Sequence, residues 1–263
     1  FNILNVILLF AFIPYIVRFI ERILPESADG ADDFRLKYIS AGVMTSPALA
    51  LEQAQKEAQQ FAGILNRMHA DVDELLFDKK ASRSKLLKRI AAAEEATDQL
   101  EIEISDYLVR VSENTNLEHD LTERIRFLQT MINDMERIAD IYFQISKLSE
   151  RLHETRSQWP GDARADMVQM MEALRNAVQN MQESTSKEPE DVSLERAIEL
   201  EDRIDALRDS FRDTHFSRLE NGDYSPRAGV IFIDVLNRIE RIGDHILNVN
   251  ESAANHRLKA QRV

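Results

Sequence analysis

The sequence predicts an all-α fold: two tandem antiparallel three-helix bundles, preceded by the end of a transmembrane helix. Three observations lead to this prediction. The chain of 263 residues contains only seven Gly and six Pro, a composition that favours long helices over sheet. Apolar residues recur at helical spacing between a few clear breaks. A motif of eight residues occurs twice, which indicates an internal duplication.

The composition also limits the kinds of partner. A formal net charge of −13 argues against nucleic acid, which selects basic surfaces. An acidic surface fits metal ions or basic partner surfaces, although it is also common in ordinary soluble domains. The chain has no cysteine, which excludes both a disulfide framework and a cysteine-ligated zinc site.

Residues 1–24 differ from the rest of the chain. The stretch 6–17 is almost wholly apolar, and we expect residues 1–24 to be the end of a transmembrane helix. A signal peptide and a buried core helix are the alternatives. Basic residues follow the apolar stretch, so the positive-inside rule places the rest of the chain in the cytoplasm. These basic residues are Arg18, Arg22, Arg35 and Lys37.

Residues 25–45 are predicted to form a linker, and residues 46–156 the first helical bundle. Ser46 and Pro47 suit the N-cap and the first position of a helix. Polar residues interrupt the helical pattern between the first and second helices, and a turn at 113–116 separates the second from the third. The predicted helices run from about 46 to 78, from 82 to 111, and from 117 to 154.

The second bundle is predicted over residues 162–257, after a break at 158–162. Its helices are expected to end near residues 181, 219 and 255, with a break at 187–189 and a turn at 221–223. Ser225 and Pro226 begin the last helix. Apolar residues in this helix recur alternately four and three positions apart, as in a core-facing stripe. They are Val235, Ile239, Ile242, Ile246 and Val249.

The duplicated motif runs from Asn133 to Asp140 and again from Asn237 to Asp244, with five of eight positions identical. In both copies a Glu and an Asp stand four residues apart, on one face of a helix. Like charges at this spacing destabilise a helix by a few tenths of a kcal/mol, and a bound cation is the simplest compensation. Glu74 and Asp78 have the same spacing without a twin, which indicates a solvated surface.

Each bundle carries a further pair of acids on its second helix. In an antiparallel hairpin, residues equally distant from the turn lie level with each other. This geometry places the acids of the second helix opposite those of the third, and four carboxylates so close require a counter-charge. The predicted metal ligands are Glu94, Asp98, Glu136 and Asp140 in the first bundle, and Glu201, Asp205, Glu240 and Asp244 in the second.

Hard oxygen ligands suit Mg, Ca, Mn or Fe, and zinc is compatible with them. The alternative is a charged face on which Arg137 and Arg241 pair with the acids. Asn133 and Asn237 either support the metal sites or belong to the polar surface.

A di-iron oxidase would require a His three residues after a Glu on facing helices, and neither motif has one. His245 has no counterpart in the first motif, where Ile141 stands, and is expected to be a surface or hydrogen-bonded histidine. We therefore expect a structural or regulatory metal and no enzymatic activity.

These residues resemble the PhoU family. The resemblance rests on Glu-Arg-Ile-Gly-Asp-His at 240–245, the degenerate Glu-Arg-Ile-Ala-Asp at 136–140, and the duplicated three-helix pattern. It covers roughly residues 46–255. It implies two three-helix bundles whose paired acidic motifs hold metal ions, and it matches all four motif positions of the predicted pairing.

The apolar segment before the helical bundles is similar in its arrangement to the C-terminal part of bacterial Na/phosphate cotransporter-family proteins. That resemblance implies a metal-binding, PhoU-like regulatory domain of a sodium-dependent phosphate transporter. The whole protein would then lie in the inner or plasma membrane with the helical domain in the cytoplasm. Its partners would be the membrane, through residues 1–24, and phosphate and sodium, through a transporter part. A homodimer is a possible assembly.

Two other functions are considered. One is a stand-alone PhoU-type regulator of phosphate uptake and signalling that acts by protein contact. The other is a carboxylate-bridged metalloenzyme, against which the missing histidine ligands argue.

Overall fold

The structure, a computed structural model, describes residues 36–39, 46–78, 80–113, 118–223 and 225–254. Within these ranges the chain is all-helical, as the sequence predicts, with six α-helices and one short 3-10 helix at Pro189–Asp191. The α-helices are α1 (Pro47–Phe77), α2 (Arg83–Ser112), α3 (His119–Glu154), α4 (Gly161–Ser184), α5 (Leu194–Glu220) and α6 (Pro226–Ala253).

The helix starts follow the capping residues. Ser46 accepts a hydrogen bond from the backbone N–H of Leu49, and Ser225 accepts one from Ala228. In both cases a Pro follows at the first helical position, where the lack of an N–H costs nothing. The two predicted Ser-Pro helix starts are therefore confirmed.

Helices α1, α2 and α3 pack against one another, as do α4, α5 and α6. This forms the two predicted three-helix bundles. The last helix shows why they form: its predicted stripe from Val235 to Val249 is almost completely buried, because its apolar residues recur with the helical period. The turn that was predicted near residue 116 lies outside the described residues.

The two bundles also pack against each other, within one compact unit that starts at Leu36. The contacts join α3 to α6 and α1 to α4. Polar side chains cross this interface as well. Nδ1 of His245 lies 2.8 Å from Oδ1 of Asp134, and the side chain of Asn66 donates to that of Gln182 at 2.8 Å. Pairing of this kind lets polar groups be buried between the bundles at small cost.

Part of the predicted linker is held against α1. The backbone N–H groups of Lys37, Tyr38 and Ile39 all donate to one carboxylate oxygen of Glu57. The Glu57 side chain is buried in α1, so these three donors supply the hydrogen bonds that a buried carboxylate requires.

The predicted transmembrane segment, residues 1–24, lies outside the described residues. In the part of the chain that the structure does describe, none of the helices combines the length and the apolar character that a bilayer crossing needs. These helices are amphipathic instead, with their apolar faces buried in the bundles.

Candidate metal centres

We call the first set of acids cluster 1. One carboxylate oxygen from each of Glu94, Asp98 and Asp140 lies within 4.8 Å of the other two. Glu94 and Asp98 come from α2, whereas Asp140 comes from the facing helix α3. The hairpin geometry predicted from the sequence therefore brings three of the four acids together. Glu136 is a close neighbour, near enough to interact electrostatically with both Asp98 and Asp140.

Cluster 1 is electrostatically unfavourable when it holds only carboxylates. The pKa of Glu94 is raised, first by burial and then by the charges of Asp98 and Asp140. The pKa of Asp98 is raised in the same way, by burial and then by Asp140 and Glu101. Burial and Asp140 also raise the pKa of Glu136, against the opposing charge of Arg137. Such mutual repulsion is what a bound cation would relieve.

We call the second set cluster 2. It is formed by Glu201 and Asp205 on α5 and by Glu240 and Asp244 on α6. Burial raises the pKa of Glu240, as do the charges of Asp244, Asp205 and Glu201. The four predicted residues thus interact electrostatically, but no three of their carboxylates converge within 4.8 Å as those of cluster 1 do among the described residues. Glu201 is the most deeply placed, at 5% exposure.

Cluster 2 contains a cation that the sequence analysis missed. Nη2 of Arg208 lies 3.6 Å from Oδ1 of Asp205 and 3.5 Å from Oε1 of Glu240. One guanidinium nitrogen therefore bridges the two facing helices between acids that were predicted to lie level. Its charge lowers the pKa of Glu240, against the opposing effects of burial and Asp244.

The equivalent position in cluster 1 holds an acid. Arg208 stands three residues after Asp205, and Glu101 stands three residues after Asp98. Glu101 acts electrostatically on Asp98 and Glu136, raising the pKa of both after the larger effect of burial. An alignment of the two halves of the sequence would have exposed this exchange of charge, whereas a search for acidic pairs alone did not.

The residues that were predicted to support the metal sites lie at the surface. Asn133 and Asn237 are both exposed, which favours the polar-surface interpretation. Arg137 pairs with Glu136 at 3.7 Å, but its side chain is 56% exposed, so the pair contributes little.

His245 is hydrogen-bonded to Asp134, as the expectation of a satisfied histidine requires. Glu74 and Asp78 are exposed, in line with a solvated surface.

The residues of cluster 1 fit a hard metal cation in both chemistry and position, because three of their carboxylate oxygens already converge, whereas those of cluster 2 fit in chemistry. Every predicted ligand offers carboxylate oxygen, which Mg, Mn and Fe accept and zinc tolerates. In cluster 2, Oδ1 of Asp205 is buried without a hydrogen-bond partner. A buried carboxylate oxygen of this kind normally has a donor or a metal. Metal binding by these eight residues stays a prediction.

A small residue next to the last acid positions the helices. Gly243 precedes Asp244, and a Cβ built there would lie 3.3 Å from Cδ1 of Ile204. Ile204, which stands between Glu201 and Asp205 in the sequence of α5, is fully buried. The glycine therefore lets α6 approach α5 closely at the level of cluster 2. The first motif has Ala139 in this position and Thr97 in that of Ile204.

Comparison with known proteins agrees with this duplicated architecture. The PhoU domain family matches the chain twice, over residues 58–149 and 167–253. The two matches coincide with the two bundles and contain all eight acids. The chain belongs to the PhoU family.

One relative of this PhoU-family chain has a low sequence identity to it. The "Phosphate-specific transport system accessory protein PhoU homolog 1" of Thermotoga maritima is 21% identical over 201 residues, which cover 71% of this chain and 84% of that protein.

Crystal structures of PhoU show the same fold. The structure from Pseudomonas aeruginosa has a TM-score of 0.70 at 17% identity, covering 79% of this chain and 97% of that one. The regulatory protein PhoU from Streptococcus pneumoniae has a TM-score of 0.66 at 16% identity, covering 79% and 95%.

These findings correct the leading functional prediction. A regulatory domain of a sodium-dependent phosphate transporter is wrong, because the relatives are accessory and regulatory proteins of phosphate transport. They favour the alternative, a PhoU-type regulator. The error has a clear origin. The transporter prediction depended on the apolar stretch 6–17, whereas the residues that carry the family resemblance lie in the helical bundles and do not distinguish the two cases.

Proposed function

We propose that this PhoU-family protein regulates phosphate uptake through contact with other proteins in the cytoplasm, and that it does so as a metal-binding helical scaffold. The observation that carries the proposal is the pair of acidic clusters built on the duplicated motif. The names of two relatives connect the family with phosphate transport systems, as an accessory protein in one case and a regulatory protein in the other.

The predicted role of the metal is structural or regulatory. Each cluster joins two helices of one bundle, α2 with α3 or α5 with α6, so a cation would hold the two helices together through their carboxylates. Such a cation supplies charge neutralisation. We propose Fe, Zn, Mn or Mg as candidates, since all four accept carboxylate oxygen.

Catalysis is not required by this proposal. Cluster 1 consists of carboxylates whose side chains project from α2 and α3, and cluster 2 adds an arginine. A protein that changes its surface or rigidity when it binds metal can regulate a partner through differential affinity alone.

Deletion of the gene in the native host tests the regulatory function. We expect phosphate uptake, measured with radiolabelled phosphate in phosphate-rich and phosphate-poor medium, to lose its normal dependence on external phosphate. The full-length gene should restore this dependence. Uptake that responds normally to external phosphate in the deletion strain would contradict the proposal.

A further inference from the structure

The two clusters differ in charge at several equivalent positions, and at one of these a basic side chain contacts the acids of its cluster. Glu101 stands in the first bundle where Arg208 stands in the second. At this position cluster 1 thus has a further acid, and cluster 2 has a guanidinium that contacts two of its acids. This exchange alone amounts to two unit charges, and the pairing of Arg208 with Asp209 at 3.3 Å offsets part of it, because the first bundle has Ile102 in the place of Asp209. The remaining difference changes the interaction of the carboxylates with any cation.

The position of Arg208 is that of a counter-ion. Its side chain is 21% exposed and reaches acids of both facing helices. The charged group near cluster 1 is placed differently, because Arg137 is 56% exposed and pairs with its own neighbour Glu136. Ion pairs at the exposed rim are weak, whereas a charge held between two helices is screened less by solvent.

We propose that Arg208 is the resident counter-ion of cluster 2 and makes it the weaker of the two metal sites. This inference rests on the proposed metal binding. Cluster 1 lacks this compensation at the equivalent position, where Glu101 adds to the negative charge. A cation should therefore bind cluster 1 first and cluster 2 only at higher concentration.

Arg208 can be displaced by a metal ion rather than excluding it. Its contacts with Asp205 and Glu240 are 3.6 and 3.5 Å long, longer than charge-assisted hydrogen bonds. Its Nε atom makes no hydrogen bond but lies 3.3 Å from Oδ1 of Asp209. Oδ1 of Asp205 is buried without a hydrogen-bond partner. The guanidinium therefore compensates the charge of Asp205 without donating a hydrogen bond to its Oδ1 atom. A metal ion that this oxygen ligates directly would interact with the carboxylate more strongly than the arginine does.

Binding of Mn²⁺ to the full chain, followed by calorimetry and by the electron paramagnetic resonance of free Mn²⁺, tests this order. Glu94→Gln with Asp140→Asn disables cluster 1, and Glu201→Gln with Asp244→Asn disables cluster 2. We expect the dissociation constant of cluster 1 to be at least tenfold lower than that of cluster 2.

Substitution of Arg208 then tests its role directly. In the background without cluster 1, Arg208→Gln should tighten Mn²⁺ binding about tenfold, and Arg208→Glu should bring the affinity close to that of cluster 1. In the variant without cluster 2, Glu101→Arg should weaken the binding of Mn²⁺ to cluster 1. Arg196→Gln is the matched control, because Arg196 lies on the same helix α5, pairs with Glu199 at 3.2 Å and is 57% exposed.

The outcomes separate the two proposals. Equal affinities of the clusters, or affinities that Arg208→Gln leaves unchanged, would overturn this inference while leaving metal binding intact. No Mn²⁺ binding in either background, with circular dichroism showing intact helices, would overturn metal binding as well. The phosphate-uptake experiment decides the regulatory function independently of both results.

Discussion

His69 is a buried titratable residue between helices of the first bundle. It lies in α1, with Nδ1 3.2 Å from the hydroxyl of Tyr142 in α3. Burial lowers the pKa of His69 from 6.5 to about 4, and the charge of Arg175 contributes to the shift. The folded protein therefore holds a neutral imidazole at pH values where the unfolded chain already binds a proton.

This shift predicts acid destabilisation. The contribution is fully present above pH 6.5 and is lost as the pH falls from 6.5 to about 4. Over that range the free energy of unfolding should drop by about 3 kcal/mol more in the wild type than in His69→Gln. Urea denaturation at a series of pH values measures it. His119→Gln, at an exposed histidine, is the control and should keep the wild-type pH dependence.

The close approach of Gly243 and Ile204 gives a second prediction at the residue scale. Alanine is favoured over glycine within a helix by about 1 kcal/mol, but a Cβ at position 243 would meet Cδ1 of Ile204 at 3.3 Å. We expect Gly243→Ala to be stabilising in an Ile204→Val background, which removes that atom, and neutral or destabilising in the wild type. Thermal unfolding of the wild type, the two single variants and the double variant measures the coupling free energy between the two positions. Additive effects would contradict the close approach of α5 and α6.

At the scale of the helices, the sequence predicted the boundaries to within a few residues. It succeeded because Ser-Pro pairs and short polar breaks punctuate long apolar periodicities. It could not predict the contact of residues 37–39 with Glu57, because nothing in the local pattern shows which polar group a loop backbone will meet. Arg208 was not predicted for a different reason. The site prediction depended only on pairs of acids, and it did not consider the basic residue that contacts Asp205 and Glu240.

The Glu57 contact gives a prediction for this element. Glu57→Ala removes the carboxylate that accepts from the backbone N–H groups of residues 37, 38 and 39. Hydrogen exchange of these amides should become at least about tenfold faster, as followed by mass spectrometry or nuclear magnetic resonance. Glu52→Ala, at an exposed position of the same helix, should leave the exchange unchanged. Equal protection in both variants would show that the segment is held in another way.

At the scale of the whole molecule, the duplication predicted two bundles but not how they pack together. The joining contacts, such as that of His245 with Asp134, are not repeated in the two halves and leave no periodic pattern. The level pairing of acids was predictable because an antiparallel hairpin fixes it. The functional prediction was wrong where it depended on the stretch before the bundles.

Relief of charge repulsion gives a prediction for the stability of the whole domain. Asp140 raises the pKa of both Glu94 and Asp98, after the larger effect of burial on each. Asp140→Asn should therefore raise the metal-free free energy of unfolding by roughly 0.5–1 kcal/mol. It should also reduce the stabilisation that added Mn²⁺ gives to the wild type. Chemical denaturation with and without Mn²⁺ measures both effects, and a less stable metal-free variant would contradict the repulsion.

The most direct test of the central proposal is the metal content of the full chain, purified without chelator and supplied with iron, zinc, manganese and magnesium. Elemental analysis compares it with a variant in which the eight acids of both clusters are replaced by their amides. We expect bound metal in the parent and none in the variant, with the same helical circular dichroism in both, because the buried apolar stripes are unchanged. A parent without metal, or a variant that retains it, would contradict the assignment of the two clusters.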